Sequence, residues 1–226
     1  MTGDYTVEWT RPETQREGTP LAVLLHGHGA NEQDLLGMVP GLPSEFTYAS
    51  VRAQVSMGFS AYTWFDLDVE RLAYSSAAAR QAVDDLWEWI DSVRGQHSSV
   101  TLIGFSMGMA IATSLLRSRP EAFQAVVGLS GFAVDPQRGE GIEGFFDDEA
   151  LRARHIPFFW GRDQADPIIP EDMVEYTHRW ANSTVDLTKV LYAGAGHGVV
   201  PQEISHVGEF LRMAVLGRRV SPQRSH

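Results

Sequence analysis

A serine between two glycines is the first residue of this sequence whose setting suggests chemistry. GFSMGM, residues 104–109, follows the apolar run VTLI and precedes AIATSLLRSR, which has a helix-like pattern. A sharp strand-to-helix turn strains its central residue and needs small neighbours, here Gly104 and Gly108, so that strand and helix can pass closely. Such a turn exposes the Ser106 hydroxyl at the carboxyl end of a sheet, above a helix N-terminus. The pattern therefore predicts that Ser106 is a nucleophile.

A serine hydroxyl needs a base, and the base needs a third group that fixes its tautomer. In this arrangement the acid and then the histidine follow the serine, each after a later strand. His197 lies in the glycine-rich AGAGHGVV after the last apolar run, so we predict that it is the general base. The segment GRDQADPIIP offers two acids, Asp163 and Asp166. We favour Asp166, which Pro167 biases to an extended conformation, and expect Asp163 to shape the loop by bonding nearby backbone.

The segment LLHGHGAN, residues 24–31, follows the first apolar run. A loop at that place can donate backbone N–H groups to the oxyanion that forms during acyl transfer. The expected donors are the backbone N–H groups of His28 and Met107. We expect the His26 side chain to brace the loop by hydrogen bonding and the His28 ring to line the site. His26 and His28 could also be read as an HxH metal pair, but no other histidine has a spacing that identifies a third ligand, so no metal is predicted.

Elements of two kinds must position these residues. Apolar runs of strand length occur at residues 21–25, 46–51, 100–103, 125–129, 156–160 and 185–192. Helical periodicity separates some of them, as in the stripe from Ala79 to Val93 and the stripe from Ile204 to Ala214 that Pro201 introduces. This alternation predicts a mostly parallel sheet with helices on both faces. The early segment YTVEW alternates polar and apolar residues, as an antiparallel edge strand would. Residues 132–154 show little regular pattern and are interpreted as an irregular crossover that serves as a functional flap.

Composition limits the function classes. The length of 226 residues suits one domain, expected over residues 1–217, with residues 218–226 as a flexible C-terminal tail. The net charge of −11 disfavours nucleic acid and anionic lipid as partners. The chain has no cysteine, so disulfides and thiol nucleophiles are excluded. No secretory pattern begins the sequence and no apolar run is long enough to span a membrane, so we expect a cytoplasmic protein without membrane insertion.

Six segments together carry a resemblance to a known family. They are LLHGHGANEQDLLG, WFD at residues 64–66, GFSMGM, LSG at residues 129–131, DPIIP and GAGHGV. In this order they resemble the phospholipase/carboxylesterase family of α/β-hydrolases, which includes acyl-protein thioesterases. The resemblance implies an α/β-hydrolase fold without a large lid, and cofactor-free hydrolysis of esters or thioesters through an acyl-serine. By motif, Ser106, Asp166 and His197 become the catalytic triad, and His28 and Met107 the backbone donors.

The substrate pocket is less well specified by the sequence. The WFD motif suggests that Trp64 lines the acyl or alcohol site, and Phe132, Phe145 and Phe146 could form another wall, although ordinary packing explains aromatic residues equally well. The leading hypothesis is a serine carboxylesterase for small to medium acyl esters. Alternatives are an acyl-protein thioesterase or lysophospholipase-like enzyme, transfer to an acceptor other than water, and a non-catalytic binding protein on the same fold. The expected partner is a small acyl ester or thioester, and two copies of the chain could form a homodimer.

Overall fold

Strands and helices alternate along the chain in the computed structural model, which describes residues 5–68, 73–138 and 141–217. The strands are β1 (Val7–Trp9), β2 (Leu21–Leu25), β3 (Thr47–Val51), β4 (Val55–Gly58), β5 (Ala61–Thr63), β6 (Leu67–Asp68), β7 (Ala73–Tyr74), β8 (Val100–Phe105), β9 (Ala125–Leu129), β10 (Pro157–Asp163) and β11 (Asp186–Tyr192). The α-helices are α1 (Ser76–Val93), α2 (Met107–Ser118), α3 (Asp148–Arg154), α4 (Glu171–Thr184) and α5 (Pro201–Ala214). A 3-10 helix at Asp34–Gly41 follows β2, and a shorter one at Arg94–Gln96 follows α1.

A seven-stranded sheet runs through the described part of the chain in the order β1-β3-β2-β8-β9-β10-β11. Within this sheet, β3, β2, β8, β9, β10 and β11 pair in parallel, and β1 pairs antiparallel with β3 at the edge. β2, β3 and β9 are buried at every position. Consecutive apolar residues are expected for strands covered on both faces, and this is why the alternation in the sequence predicted a parallel sheet.

Helices cover both faces of this sheet. Leu21 and Val23 of β2 pack into one core together with side chains of α1, α2 and α4. Ala22 and Leu24 point the other way, into a second core with α5 and the 3-10 helix Asp34–Gly41. Successive strand residues point to opposite faces, so β2 contributes to both cores. The mostly parallel sheet with helices on both faces is confirmed.

Strand bounds differ from the prediction at the carboxyl edge of the sheet. β2 and β9 have the predicted bounds, whereas β8 continues to Phe105 and β10 to Asp163. Gly104 and Gly161 end the apolar runs in the sequence but not the strands, because each glycine remains in register with the neighbouring strand. Ser106 therefore follows its strand directly, and Asp163 is itself the last strand residue.

The crossover at residues 132–154 is more regular than expected. Its last part forms α3, which Asp147 caps by accepting a hydrogen bond from Ala150 N at 2.8 Å. The buried Arg117 holds this helix, with Nε and Nη2 donating to the two Asp148 carboxylate oxygens at 2.8 and 2.7 Å. The expectation of an irregular flap was wrong for this part. The predicted tail at residues 218–226 lies outside the described residues, and none of the described helices is both long and apolar enough to cross a membrane.

Candidate active site

Ser106 occupies a strained turn between β8 and α2. Its φ of 53° and ψ of −117° are rare for a residue with a side chain. The turn brings backbones into close approach: a Cβ at Gly104 would overlap the carbonyl of Gly108, and a Cβ at Gly108 would overlap the carbonyl of Leu25. Both flanking glycines are thus required by contact, as the sequence pattern predicted. Ser106 N also donates to Leu129 O at 2.9 Å, which fixes the turn to β9.

His197 lies between Ser106 and Asp166. Its Nε2 is 3.0 Å from Ser106 Oγ, and its Nδ1 is 2.9 Å from Asp166 Oδ2. A carboxylate only accepts, so Nδ1 carries the proton and Nε2 presents a lone pair to the serine hydroxyl. The Asp166 side chain is 1% exposed and that of His197 is 20% exposed, so the pair is shielded while the ring stays reachable. Asp166 Oδ1 also accepts from Ile168 N at 2.8 Å, which orients the carboxylate.

Asp163 has a different task, which is to tie two loops together. Its Oδ1 accepts from Ala165 N at 2.7 Å and its Oδ2 accepts from Gly196 N at 2.8 Å. These backbone N–H bonds, that of Ala165 first, hold the pKa of the Asp163 carboxyl below its usual range. The second bond fixes the residue before His197. The histidine loop is therefore positioned by Asp163 and contacted by Asp166.

His26 and Trp64 hold the loop that follows β2. His26 Nδ1 donates to Gly27 O at 2.7 Å, and its Nε2 accepts from Ala53 N at 3.0 Å, which are the bracing contacts the sequence suggested. Burial lowers the pKa of His26, so the ring stays neutral. Trp64 is 4% exposed, and its Nε1 donates to His26 O at 2.9 Å. The indole of Trp64 therefore supports the loop, and its expected place in the substrate site stays a prediction.

Thr63 joins the two residues expected to stabilise an oxyanion. Its hydroxyl donates to Phe65 O at 2.7 Å, so the contact of 3.0 Å with His28 Nδ1 requires the imidazole to donate. The same oxygen lies 3.2 Å from Met107 Sδ. Burial lowers the pKa of His28, which favours the neutral ring with its proton on Nδ1. Met107 begins α2, where backbone N–H groups lack intrahelical acceptors. The sequence analysis did not identify Thr63, which carried no motif.

The three phenylalanines expected to form a pocket wall each pack against another side chain. Phe132 is 2% exposed and packs 6.0 Å from the ring of Tyr74. Phe146 lies 3.7 Å from the guanidinium carbon of Arg117, and Phe145 lies 4.8 Å from that of Arg80. Arg117 is near the carboxyl end of α2, about 15 Å along the helix axis from Met107. Phe145 and Phe146 thus lie against cations of α1 and α2, and a pocket role for the three rings stays a prediction.

A cavity of about 290 Å³ beside the site involves residues that sequence reasoning missed. It is lined by Asp34, Leu35, Gly37, Met38, Phe105, Val199 and Ile204. The ring of Phe105 lies 5.3 Å from the ring of His197, which connects the cavity to the serine–histidine pair. The sequence could have indicated them, because Phe105 directly precedes Ser106 and Val199 follows His197 by two residues.

Glu203, in the first turn of α5, is a buried acid that the sequence analysis also missed. It is 0% exposed, and within the described structure neither carboxylate oxygen has a hydrogen-bond partner. The carboxyl packs directly on Gly161, where a Cβ would overlap Oε1. Burial raises the pKa of Glu203 to about 7. Elsewhere in the described ranges, no group of three or more His, Asp or Glu residues could hold a metal ion.

The parallel sheet and the strained serine turn at its carboxyl edge define the α/β-hydrolase class. The chain matches the phospholipase/carboxylesterase family model over residues 12–215 and belongs to that family. It is 23% identical over 199 residues to the putative hydrolase MhqD of Bacillus subtilis, covering 86% of this chain and 93% of the relative.

Solved structures agree on the fold. The Bacillus cereus carboxylesterase aligns with a TM-score of 0.74 and 22% identity, covering 94% of this chain and 95% of the other. A carboxylesterase from Mesorhizobium loti aligns with a TM-score of 0.75 and 14% identity, covering 92% and 94% of the two chains. The chain is thus an ester hydrolase by family.

Proposed function

We propose that this protein is a serine carboxylesterase that cleaves small to medium acyl esters through an acyl-serine intermediate. The observation that carries the proposal is the continuous chain of contacts from Ser106 Oγ to His197 Nε2, at 3.0 Å, and from His197 Nδ1 to Asp166, at 2.9 Å. A hydroxyl within hydrogen-bond reach of an oriented neutral imidazole can be deprotonated as it attacks. Asp166 stabilises the imidazolium that forms and keeps the ring in the reactive tautomer.

In the first half-reaction, Ser106 Oγ attacks the ester carbonyl carbon while His197 Nε2 takes the hydroxyl proton. The carbonyl oxygen becomes an oxyanion, to which the backbone N–H groups of His28 and Met107 donate. The intermediate collapses when the bond from carbon to the alcohol oxygen breaks and His197 returns its proton to that oxygen. The alcohol leaves, and the acyl group stays on Ser106.

In the second half-reaction, His197 removes a proton from water, and the hydroxide attacks the acyl carbon. The bond to Ser106 Oγ then breaks, and His197 reprotonates the serine while the carboxylic acid leaves. The ester and one water are thus converted to the carboxylic acid and the alcohol, and the reaction balances without a cofactor. Loss of one oxyanion donor typically costs about 2.7–4 kcal/mol of transition-state stabilisation, so the supports of the His28 loop matter to the rate.

An activated short acyl ester tests the proposal. We expect a burst of alcohol release and an acyl adduct on Ser106 found by peptide mass spectrometry. Ser106→Ala should abolish the burst and lower turnover by several orders of magnitude, leaving about 10³-fold catalysis over water. Ser92→Ala is the control, because Ser92 is an exposed serine on α1 whose hydroxyl donates to Trp89 O at 2.6 Å within the same helix. An adduct on another residue, or a burst that survives Ser106→Ala, would contradict the assignment.

A further inference from the structure

We propose that the cavity between the 3-10 helix Asp34–Gly41 and the amino end of α5 binds the alcohol part of the ester, and that this part is neutral, short and apolar. The inference rests on the proposed function, since it names what leaves from that same site. We call this cavity the leaving-group cavity. The large side chains that line it are Leu35, Met38, Phe105, Val199 and Ile204.

The chemistry of the walls selects an apolar occupant. All five large side chains that line the cavity are hydrophobic, so a polar group seated there would lose hydration without gaining hydrogen bonds. The one charged side chain in the lining, Asp34, is exposed. A carboxylate at the edge of the cavity disfavours an anionic alcohol such as a hydroxy acid or a phosphate ester. An uncharged alkyl group is the remaining fit.

The position of the cavity relative to His197 selects the alcohol side of the ester. His197 must hand its proton to the departing oxygen, so that oxygen stands next to the imidazole. The Phe105 ring contacts the His197 ring, with centroids 5.3 Å apart, and Val199 follows His197 by two residues. The leaving-group cavity therefore lies one side chain away from the imidazole, and we infer that a substituent on the departing oxygen enters it.

The carbonyl oxygen is assigned to the backbone N–H groups of His28 and Met107. Thr63 links these two residues through their side chains, with its hydroxyl oxygen 3.0 Å from His28 Nδ1 and 3.2 Å from Met107 Sδ. With the carbonyl oxygen held there and the departing oxygen at His197, the two substituents of the ester are separated. Only the alcohol substituent meets the leaving-group cavity.

The size of the cavity limits the alcohol. A volume of about 290 Å³ lies at the lower end of the range for small-molecule sites. Each methylene of the alcohol that enters should raise kcat/KM about fourfold, as expected for burying one CH₂ group. The gain should stop once the chain is longer than the cavity.

Two matched ester series test this. The first is a set of acetate esters of unbranched primary alcohols from methyl to octyl, and the second is a set of methyl esters of unbranched acids of the same lengths. For each variant, kcat/KM is divided by its value for the shortest ester of the series. The slope of log kcat/KM against chain length is then compared between the two series. Wild type should show the fourfold steps in the alcohol series.

Gly37→Phe is the variant that fills the cavity. Gly37 lines it, and a Cβ there would meet no heavy atom within 4 Å, so the backbone tolerates the new side chain. Ile204→Phe fills the same space from α5. The matched control is Gly95→Phe, because Gly95 also lies in a 3-10 helix with open space around its Cβ but lies outside the lining. We expect Gly37→Phe to remove the alcohol slope and keep the acyl slope, and Gly95→Phe to keep both.

Retention of the wild-type alcohol slope in both filling variants would overturn the proposal. Loss of the acyl slope alone would also overturn it, because the cavity would then hold the acyl chain. Failure of the proposed function looks different: neither series would be hydrolysed, and an activated ester would leave no adduct on Ser106.

Discussion

Glu203→Gln tests the interpretation of the buried carboxyl on α5. Glu203 is 0% exposed, and burial raises its pKa from 4.5 to about 7. The folded protein therefore keeps a proton that the unfolded chain has already released between these two pH values. The contribution of the neutral carboxyl to stability is fully present below pH 4.5 and is lost as the pH rises to about 7.

The magnitude follows from the same two values. Each pKa unit corresponds to about 1.36 kcal/mol, so ionisation in the folded state should cost on the order of 3 kcal/mol at pH 8. Glutamine has nearly the same shape and does not titrate. The difference in unfolding free energy between Glu203→Gln and wild type should therefore grow, in favour of the variant, by about 3 kcal/mol from pH 4 to pH 8. The largest part of the rise should fall between pH 4.5 and 7.

Urea unfolding of both proteins at pH values from 4 to 8 measures this difference, because the contributions of all other titrating groups cancel. The neighbouring Tyr192 does not interfere, since burial raises its pKa above the usual range and it stays neutral throughout. Glu209→Gln, an exposed carboxylate on the same helix, is the control, and its difference should vary by less than about 0.5 kcal/mol. A difference that is independent of pH for Glu203→Gln would refute the reasoning.

Two further predictions separate chemistry from support. Asp166→Asn should lower kcat about 10³- to 10⁴-fold, because the amide favours the wrong histidine tautomer. Asp163→Asn should lower kcat much less. If steady-state kinetics showed the larger loss of kcat for Asp163→Asn, the roles of the two aspartates would have to be exchanged. Arg117→Met should destabilise the fold by about 3 kcal/mol in urea unfolding, near the lower end for a broken buried pair because Asp148 remains 32% exposed. The kcat of Arg117→Met in native conditions should stay near that of wild type, since Arg117 lies about 15 Å along α2 from Met107. A large fall in kcat would show that α3, which Arg117 holds, contributes to catalysis.

The parts of the fold that the sequence predicted are those written in local patterns. Consecutive apolar residues predicted the buried parallel strands, and the period of the stripe from Ala79 to Val93 predicted α1, which begins at Ser76. Ser75 caps this helix by accepting a hydrogen bond from Ala78 N at 3.3 Å. The carboxyl ends of β8 and β10 were missed because a glycine inside a strand weakens the pattern without ending the pairing.

The site divides in the same way. The motifs predicted which residues follow which strand, and Ser106, His197 and Asp166 lie together because parallel strands end at one edge. The tasks of Trp64 and Phe146 depend on partners far along the chain, at His26 and Arg117. Residue spacing in the sequence does not predict such partners, because an indole N–H or a phenyl ring can line a pocket or make a packing contact equally well.

The close approach at Gly108 explains why the serine motif and the loop after β2 function as one unit. A Cβ at this position would overlap Leu25 O and would come within 2.8 Å of His26 O, so α2 lies directly against the backbone that leads into the oxyanion loop. Any shift of the helix that carries Met107 must move that loop, and any shift of the loop must move the helix. The glycine therefore sets how closely α2 approaches the loop that carries His28. Under the proposed mechanism, the second glycine of the motif matters to the rate as well as to the turn.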